Sequence, residues 1–332
     1  IHYCELTTST NELAKRLAGE GCEDGLVVIA EEQNSGKGRL SRGWFSPFAY
    51  VSTKQNADVI PMVTPVVNKA TSYLGFIISK KDSADIYKAA KDSAYYIGAV
   101  HEDEPENGAE LVKILLDKGD RNIGLIGWEQ GDATWLGRWK GYKAGVEKWN
   151  KENPDDKAKI SEPQYAGTTS EGGSKAAEAL MAADPDLDAL IPAGGGGDPL
   201  QGAIAAVERA GKTSDIDIVS TDFLPDLGER LENGSMAGES GGHYCDPLIS
   251  FMMVYNAIKG NYKDFGGKFE DVPFPYLYVS SPDDYKAYEK YFVDQLPYTD
   301  EELVDMSKLS MEDLKATAAK LSIEDAASRA GN

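Results

Sequence analysis

The sequence predicts a doubly wound α/β fold, in which helices cover both faces of a mostly parallel sheet. From about residue 95 onward, short apolar segments alternate with amphipathic segments of about 10 to 15 residues, which is the pattern of repeated β–α–β units. Hydrophobic residues make up 41% of the 332-residue chain, enough to bury a sizeable core. A chain of this length is expected to form about two domains.

Strands and helices follow one another in regular alternation. Strands are predicted over residues 95–100, 122–127, 164–167, 188–193 and 217–221. Helices are predicted between them, over residues 107–118, 136–149, 171–182 and 199–210. The first of these helices is expected to end at Gly119, because glycine is the residue that most readily closes a helix.

The two ends of the chain differ from this pattern. Predicted strands at residues 2–6 and 25–30 flank a predicted helix at 10–18, and a basic loop follows over 36–44. Toward the other end, Ser/Thr-x-x-acid patterns mark helix starts, because the hydroxyl and the carboxylate satisfy free amides of the first turn. Three such patterns begin at Thr299, Ser310 and Ser322 and predict an acidic tail of short, peripheral helices.

Charge excludes several classes of function. Lys and Arg total 34 and Asp and Glu total 55, which gives a formal net charge of −21. A nucleic-acid backbone and an anionic membrane surface both bind positive patches, so neither is an expected partner. No apolar run approaches the roughly 20 residues that cross a bilayer, so we expect no membrane span.

Motifs for catalysis or metal binding are weak. The 3 cysteines include no Cys-x-x-Cys pair and the 3 histidines no His-Glu-x-x-His motif, so we expect no metal and no cofactor. Residues 238–242 fit the Gly-x-Ser-x-Gly nucleophile elbow of α/β-hydrolases. The only later histidine, His243, is too near in sequence to complete that triad, so we expect no enzyme.

A group of short motifs sets residues 1–52 apart. The triplet Ser9-Thr10-Asn11 is followed by segments at 33–39 and 43–47, and together they resemble the start of the catalytic domain of biotin protein ligases. The resemblance implies a biotin-type site of glycine amides and guanidinium groups that surround a phosphate. Its members would be Ser9, Thr10, Asn11, Gln33, Gly36, Gly38, Arg39 and Arg42. The family's downstream Lys-Trp-Pro-Asn-Asp strand is absent, so we expect no ligase activity.

The rest of the chain carries longer strings, at residues 95–98, 118–126, 138–142, 220–222 and 241–244. In this order they resemble the type I periplasmic solute-binding proteins, especially the sugar-binding branch, over about residues 57–332. The resemblance implies a two-lobed fold of parallel, doubly wound sheets with the ligand between the lobes. The first lobe is expected to be atypical, because the ligase-like segment stands where the family has its own opening elements.

The resemblance also implies a ligand site. Its expected members are Arg138, Asp222, His243, Trp135, Phe223 and Asp198. A guanidinium and a carboxylate suit sugar hydroxyls because both form charge-assisted hydrogen bonds, and aromatic rings can pack on a sugar face. Each residue also has a purely structural alternative: a solvated helix cation, a turn cap, a packed histidine or a core aromatic.

We therefore expect four segments. Residues 1–52 are ligase-like, 53–125 complete the N-terminal lobe, 126–260 form the C-terminal lobe, and 261–332 cross back and form the tail. The leading hypothesis is a monomeric, extracytoplasmic protein, periplasmic or a cell-surface lipoprotein without its signal, that passes a sugar-like ligand to an ABC transporter permease. Binding is expected to be weak or absent, because the first lobe has lost its own opening segment and the contacts that it supplies. The alternatives are a biotin- or biotinyl-adenylate-binding fragment and a chimera with neither activity.

Overall fold

A computed structural model describes the chain over residues 2–7, 13, 16–17, 20, 27–33, 48–50, 62–65, 96–194, 198–242, 245–261 and 270–331. The chain divides into two units. One unit comprises Ile1–Met62 and Ser93–Tyr96, and the other comprises Val63–Asp92 and Ile97–Asn332. Its first three strands are β1 (His2–Thr7), β2 (Val27–Gln33) and β3 (Phe48–Tyr50), and they form one sheet in the order β1-β2-β3.

In this first sheet, β1 and β2 are parallel and β3 is antiparallel to β2. Parallel neighbours cannot be joined by a tight hairpin and need a crossover connection. The pairing therefore agrees with the predicted β–α–β start, although the second strand begins and ends slightly later than predicted.

The remaining strands form two further sheets. They are β4 (Met62–Pro65), β5 (Tyr96–Glu102), β6 (Asn122–Gly127), β7 (Lys159–Ile160), β8 (Gln164–Tyr165), β9 (Ala189–Pro192), β10 (Asp217–Thr221), β11 (Gly238–Gly241), β12 (Glu270–Phe274) and β13 (Leu277–Val279). The larger sheet has the order β13-β11-β10-β9-β6-β7, with β8 also paired to β6, and only β13 is antiparallel to its neighbour. The smaller sheet has the order β12-β5-β4, and β12 is parallel to β5.

Helices connect the parallel strands, as the alternation predicts. They are α1 (Glu104–Lys118), α2 (Ala133–Glu152), α3 (Ser170–Ala183), α4 (Asp198–Arg209), α5 (Leu227–Asn233), α6 (Asp246–Ile258) and α7 (Pro282–Tyr288), which a π-helical turn extends over Glu289–Val293, then α8 (Asp300–Met306), α9 (Met311–Ala318) and α10 (Ile323–Ala330). The predicted strands at 122–127 and 217–221 coincide with β6 and β10. The parallel α/β prediction is confirmed.

Both faces of the larger sheet are buried, because successive residues of a strand point to opposite faces. On β6, Leu125 belongs to one core cluster and Ile126 to the other. The first cluster includes Leu111 and Leu115 of α1, and the second includes Leu180 of α3. This two-sided burial makes the sheet doubly wound.

Local capping defines the helix ends that the sequence predicts. Gly119 closes α1 in the left-handed conformation, with φ of 112°. The hydroxyl groups of Thr299, Ser310 and Ser322 accept hydrogen bonds from amides of the first turns of α8, α9 and α10. All three predicted tail helices are therefore present and start where the motifs place them.

Candidate functional site

The candidate site begins where α1 and α2 cross at very short distance. The side chain of Asp103 accepts a hydrogen bond from the Glu106 amide at 3.1 Å and starts α1, so that Glu104 is its first residue. A Cβ atom on Gly108 would clash with the Arg138 carbonyl oxygen, and one on Gly137 would lie 2.8 Å from the Glu104 Cβ. Glycines at the crossing thus let Glu104 and Arg138 meet.

Three buried side chains form a closed set of hydrogen bonds. The Arg138 Nε donates to the Glu104 Oε2 at 2.6 Å, and its Nη2 donates to the Tyr276 hydroxyl at 3.2 Å. The same hydroxyl donates to the Glu104 Oε1 at 3.1 Å. The third guanidinium nitrogen, Nη1, is buried and has no hydrogen-bond partner within the described part of the chain. Arg138 is 2% exposed, so the interpretation as a solvated helix cation is wrong.

The surroundings of Arg138 keep it charged. Burial by itself lowers the pKa of this guanidinium, but the nearby Glu104, Tyr276 and Asp222 raise it, and the net pKa lies well above its usual value. Trp128 is half-buried, and the Arg138 Cζ lies 5.4 Å from the centre of its ring. A cation beside an aromatic face is a stabilising arrangement.

Asp222 follows β10 in a strained backbone conformation. Its φ is 75°, and among the described residues no other non-glycine residue has a positive φ. Such a conformation costs of order 1–3 kcal/mol unless the surroundings hold it, and it is found preferentially at functional sites. Here the Asp222 amide donates to the Ser240 carbonyl at 2.7 Å. The carboxylate of Glu239 accepts from the Leu224 amide at 2.6 Å and fixes the loop that follows.

Other polar groups tie α1 to the carboxyl ends of the strands. The side-chain amide of Asn107 donates to the Thr221 hydroxyl at 3.2 Å, and the Ser240 hydroxyl donates to the same oxygen at 3.1 Å. Ser240 lies within β11 and is buried, so it is not at a strand-to-helix elbow. The position of Ser240 therefore differs from that of the nucleophile in the Gly-x-Ser-x-Gly elbow.

Glu102 ends β5 and brings a second buried carboxyl to this region. It is 3% exposed, and neither carboxyl oxygen has a hydrogen-bond partner within the described residues. Burial first, and then the neighbouring Asp246, raises the pKa of Glu102 to about 9. Burial likewise raises the pKa of Asp246 to about 8. Both groups are neutral acids near pH 7, which lowers the cost of burying them.

The predicted aromatic contacts differ in their surroundings. Trp135 is 0% exposed and packs edge-on against Tyr142, with ring centres 5.7 Å apart, which favours its structural alternative as a core aromatic. Trp128 is the tryptophan that stands beside Arg138. Phe223 is half-buried and packs against Tyr288 at 4.6 Å between ring centres.

Some predicted site residues cannot be placed. His243 and the side chain of Asp198 lie outside the described residues. The same holds for most of the biotin-type set: Ser9, Thr10, Asn11, Gly36, Gly38, Arg39 and Arg42. Gln33 ends β2, but its side chain is not among those described.

Sequence reasoning missed Glu104, Tyr276 and Trp128. Glu104 stands in an acidic run before a proline, which reads as an ordinary helix start. A stronger signal was the spacing of Gly137, Gly141 and Gly145, which puts three glycines on one face of α2 and indicates a close helix crossing. Tyr276 had no signal, because it lies 172 residues from the Glu104 that it contacts.

The described residues contain neither a cluster suited to a metal ion nor a membrane-crossing helix. Within the covered parts of the chain, no three His, Cys, Asp or Glu side chains come together to hold a metal ion. Among the described helices, none has both the length and the apolar character of a membrane-crossing segment. The site offers a guanidinium, carboxylates and aromatic rings, which suit a polar ligand with apolar faces.

Comparison with known proteins places the chain in one family. The model of the periplasmic binding protein domain matches residues 61–244, more than half of the chain. GanP, described as a glucose-galactose binding protein from Geobacillus stearothermophilus, is 13% identical with a TM-score of 0.52, over 85% of this chain and 98% of that chain. A Mycobacterium smegmatis protein solved with β-D-fucofuranose is 18% identical with a TM-score of 0.51, over 93% and 98%.

Other matches are shorter. A substrate-binding protein of a sugar ABC transport system from Bordetella parapertussis is 14% identical with a TM-score of 0.46, over 56% of this chain. The chain spans 58% of the length of that protein. The two longer matches show the fold, which is the α/β fold of these binding proteins.

Proposed function

This chain belongs to the periplasmic binding protein domain family, and we propose that it captures a sugar-like small molecule for uptake by an ABC transporter. The observation that carries the proposal is the buried Arg138, which keeps one nitrogen without a partner in the described chain, near the strained Asp222. A buried guanidinium N–H that has no partner in the described chain and a nearby carboxylate suit a ligand rich in hydroxyls.

A sugar is the ligand class to test first. The two longer structural matches are to a protein named for glucose and galactose and to one solved with a fucofuranose. At this low sequence identity the two matches support only the fold. The proposed ligand class therefore rests on the chemistry of this chain's own residues. The proposed contacts are Arg138, Asp222, Phe223, Asp198 and His243, with Trp128 in place of Trp135.

The wider setting of this function is also part of the proposal. A binding protein of this family would work outside the cytoplasm, as a monomer, and would deliver its ligand to a transporter permease. It would bind its ligand without chemical change, in keeping with the match to the periplasmic binding protein domain.

The ligase-like interpretation of residues 1–52 stays a prediction. The family match begins at residue 61 and leaves that segment outside. The parallel pairing of β1 and β2 fits a β–α–β start of any kind, and most residues of the biotin-type set lie outside the described residues.

Isothermal calorimetry with a panel of pentoses, hexoses and polyols tests the function. We expect Arg138→Ala to weaken binding about tenfold to a hundredfold, because it removes a charge-assisted donor from a buried site. Arg121→Ala is the matched control, because Arg121 also pairs with an acidic side chain, that of Asp156, and its Cζ also lies near a tryptophan ring, that of Trp149.

Circular dichroism would show that each variant is folded before its affinity is compared. If the parent binds no member of the panel, the proposed function is wrong. If the parent binds and Arg138→Ala binds equally well, the ligand lies elsewhere and the proposed contacts are wrong.

A further inference from the structure

Glu104 is a candidate for a role in ligand choice. It is not among the ligand contacts that the family resemblance implies, yet it forms the shortest hydrogen bond to Arg138, at 2.6 Å. The side chains of the pair are 3% and 8% exposed for arginine and glutamate. A buried charge of this kind must be compensated, because removing it from water is costly.

Glu104 occupies one edge of the guanidinium. A carboxylate or phosphate is held best by two parallel N–H groups of an arginine. Glu104 already takes the Nε side, and the Tyr276 hydroxyl takes a hydrogen bond from Nη2. The nitrogen that remains, Nη1, can donate to a single oxygen such as a sugar hydroxyl or ring oxygen.

The charge balance points the same way. Arg138 brings one positive charge, and both Glu104 and Asp222 act on it as negative groups. An uncharged ligand would leave this balance intact. An anionic ligand would bury one more negative charge beside two carboxylates, where no other cation is described next to Arg138.

Tyr276 has a separate, positioning role. Its hydroxyl accepts from Arg138 Nη2 and donates to Glu104 Oε1, so that it closes the ring of hydrogen bonds and holds the guanidinium in one orientation. Removal of this hydroxyl would loosen Arg138 without changing the charge of the site.

We propose that Glu104 is a specificity-determining residue: it holds Arg138 in place and cancels its charge, so that the site accepts uncharged sugars and rejects sugar acids. The inference rests on the proposed function and adds the charge of the ligand to it. It predicts that the parent binds a hexose more tightly than the hexuronate of the same configuration.

The test compares galactose with galacturonate and glucose with glucuronate by calorimetry. In the parent, we expect the hexose to bind at least about tenfold more tightly than its acid, because the acid adds an uncompensated buried charge. In Glu104→Gln, which keeps the size of the side chain but loses its charge, we expect this ratio to fall about tenfold or more. Glu104→Asp and Tyr276→Phe keep the charge of the site, so each should weaken the binding of the hexose and of its acid by the same factor.

Each outcome decides a different statement. If no sugar and no acid binds to the parent, the proposed function fails and the inference fails with it. If the parent binds hexoses but takes the acid equally well, the role of Glu104 is refuted while the function stands, and this result needs no variant. If the ratio of hexose affinity to hexuronate affinity is the same in Glu104→Gln as in the parent, the proposed role of Glu104 is refuted as well.

Discussion

At the scale of single residues, the buried acids set how the protein responds to pH. Glu102 has no hydrogen-bond partner among the described residues, and burial followed by the charge of Asp246 raises its pKa to about 9. The raised pKa means that the folded state holds a proton that the unfolded chain releases near pH 4.5. The contribution of Glu102 to the free energy of unfolding is therefore fully present below pH 4.5 and is lost as the pH rises toward about 9.

The expected result is a thermal unfolding midpoint that falls from pH 5 to pH 9 in the parent and falls less in Glu102→Gln. An amide does not ionise, so the variant lacks this contribution to the pH dependence. The control is Glu208→Gln, which removes an exposed carboxylate of α4 and should leave the pH profile close to that of the parent. Parallel profiles for the parent and Glu102→Gln would show that Glu102 ionises normally.

At the scale of elements, the crossing of α1 and α2 decides whether the site can assemble. A Cβ atom on Gly141 would overlap the backbone carbonyl of Pro105, which no change of rotamer can relieve. At Gly145 the nearest atoms, Ala109 O and Val112 Cγ1, lie 3.3 Å away, so a methyl group needs only a small adjustment. Glycine is therefore required at one of these positions and merely tolerated at the other.

Gly141→Ala should destabilise the fold by about 1–3 kcal/mol, since overpacking forces the helices apart. Gly145→Ala is the matched control, because the helix propensity gained by alanine, about 1 kcal/mol, offsets a mild contact. Urea unfolding measures both. Equal stability of the two variants would mean that the helices do not cross at the distance described.

At the scale of the whole molecule, the acidic tail contributes to the core, in contrast to the peripheral position that the sequence predicts. Leu314 of α9 is 1% exposed and belongs to the cluster that also contains Leu180 and Leu200. The side-chain amides of Asn256 and Asn261 donate to the carbonyl oxygens of Met306 and Ser307, at 3.0 and 2.9 Å. Lys315 also pairs with Glu270 of β12.

Leu314→Ala should therefore lower the free energy of unfolding by about 2–5 kcal/mol, as expected for a truncated core leucine. The loss should appear in tryptophan fluorescence, measured in a Trp44→Phe background, because the remaining tryptophans lie between residues 128 and 149. Val304→Ala, at a position 55% exposed, should change stability by less than about 0.5 kcal/mol. A fluorescence midpoint that does not move in Leu314→Ala would show that the tail unfolds separately.

The sequence by itself determined the features that depend on near neighbours. Apolar runs and helical periodicity marked β6 and β10 at their observed bounds, and the hydroxyl-to-acid spacing marked the starts of α8, α9 and α10. These signals succeed because strand burial, helix faces and caps involve residues only a few positions apart. Arg138 and Asp222 came from family resemblance, which carries tertiary information that a single sequence lacks.

Only the tertiary structure decided which side chains surround Arg138. Glu104 lies 34 residues away in sequence and Tyr276 lies 138 residues away, and no local pattern links them. Trp128 and Trp135 lie only seven residues apart, but Trp135, on α2, is buried in the core, whereas Trp128, in the loop after β6, lies beside the guanidinium. Helical periodicity predicts which side of a helix is buried. The partner of a buried side chain depends on how the helices cross, and here the glycines of α1 and α2 allow the close crossing that brings Glu104 to Arg138.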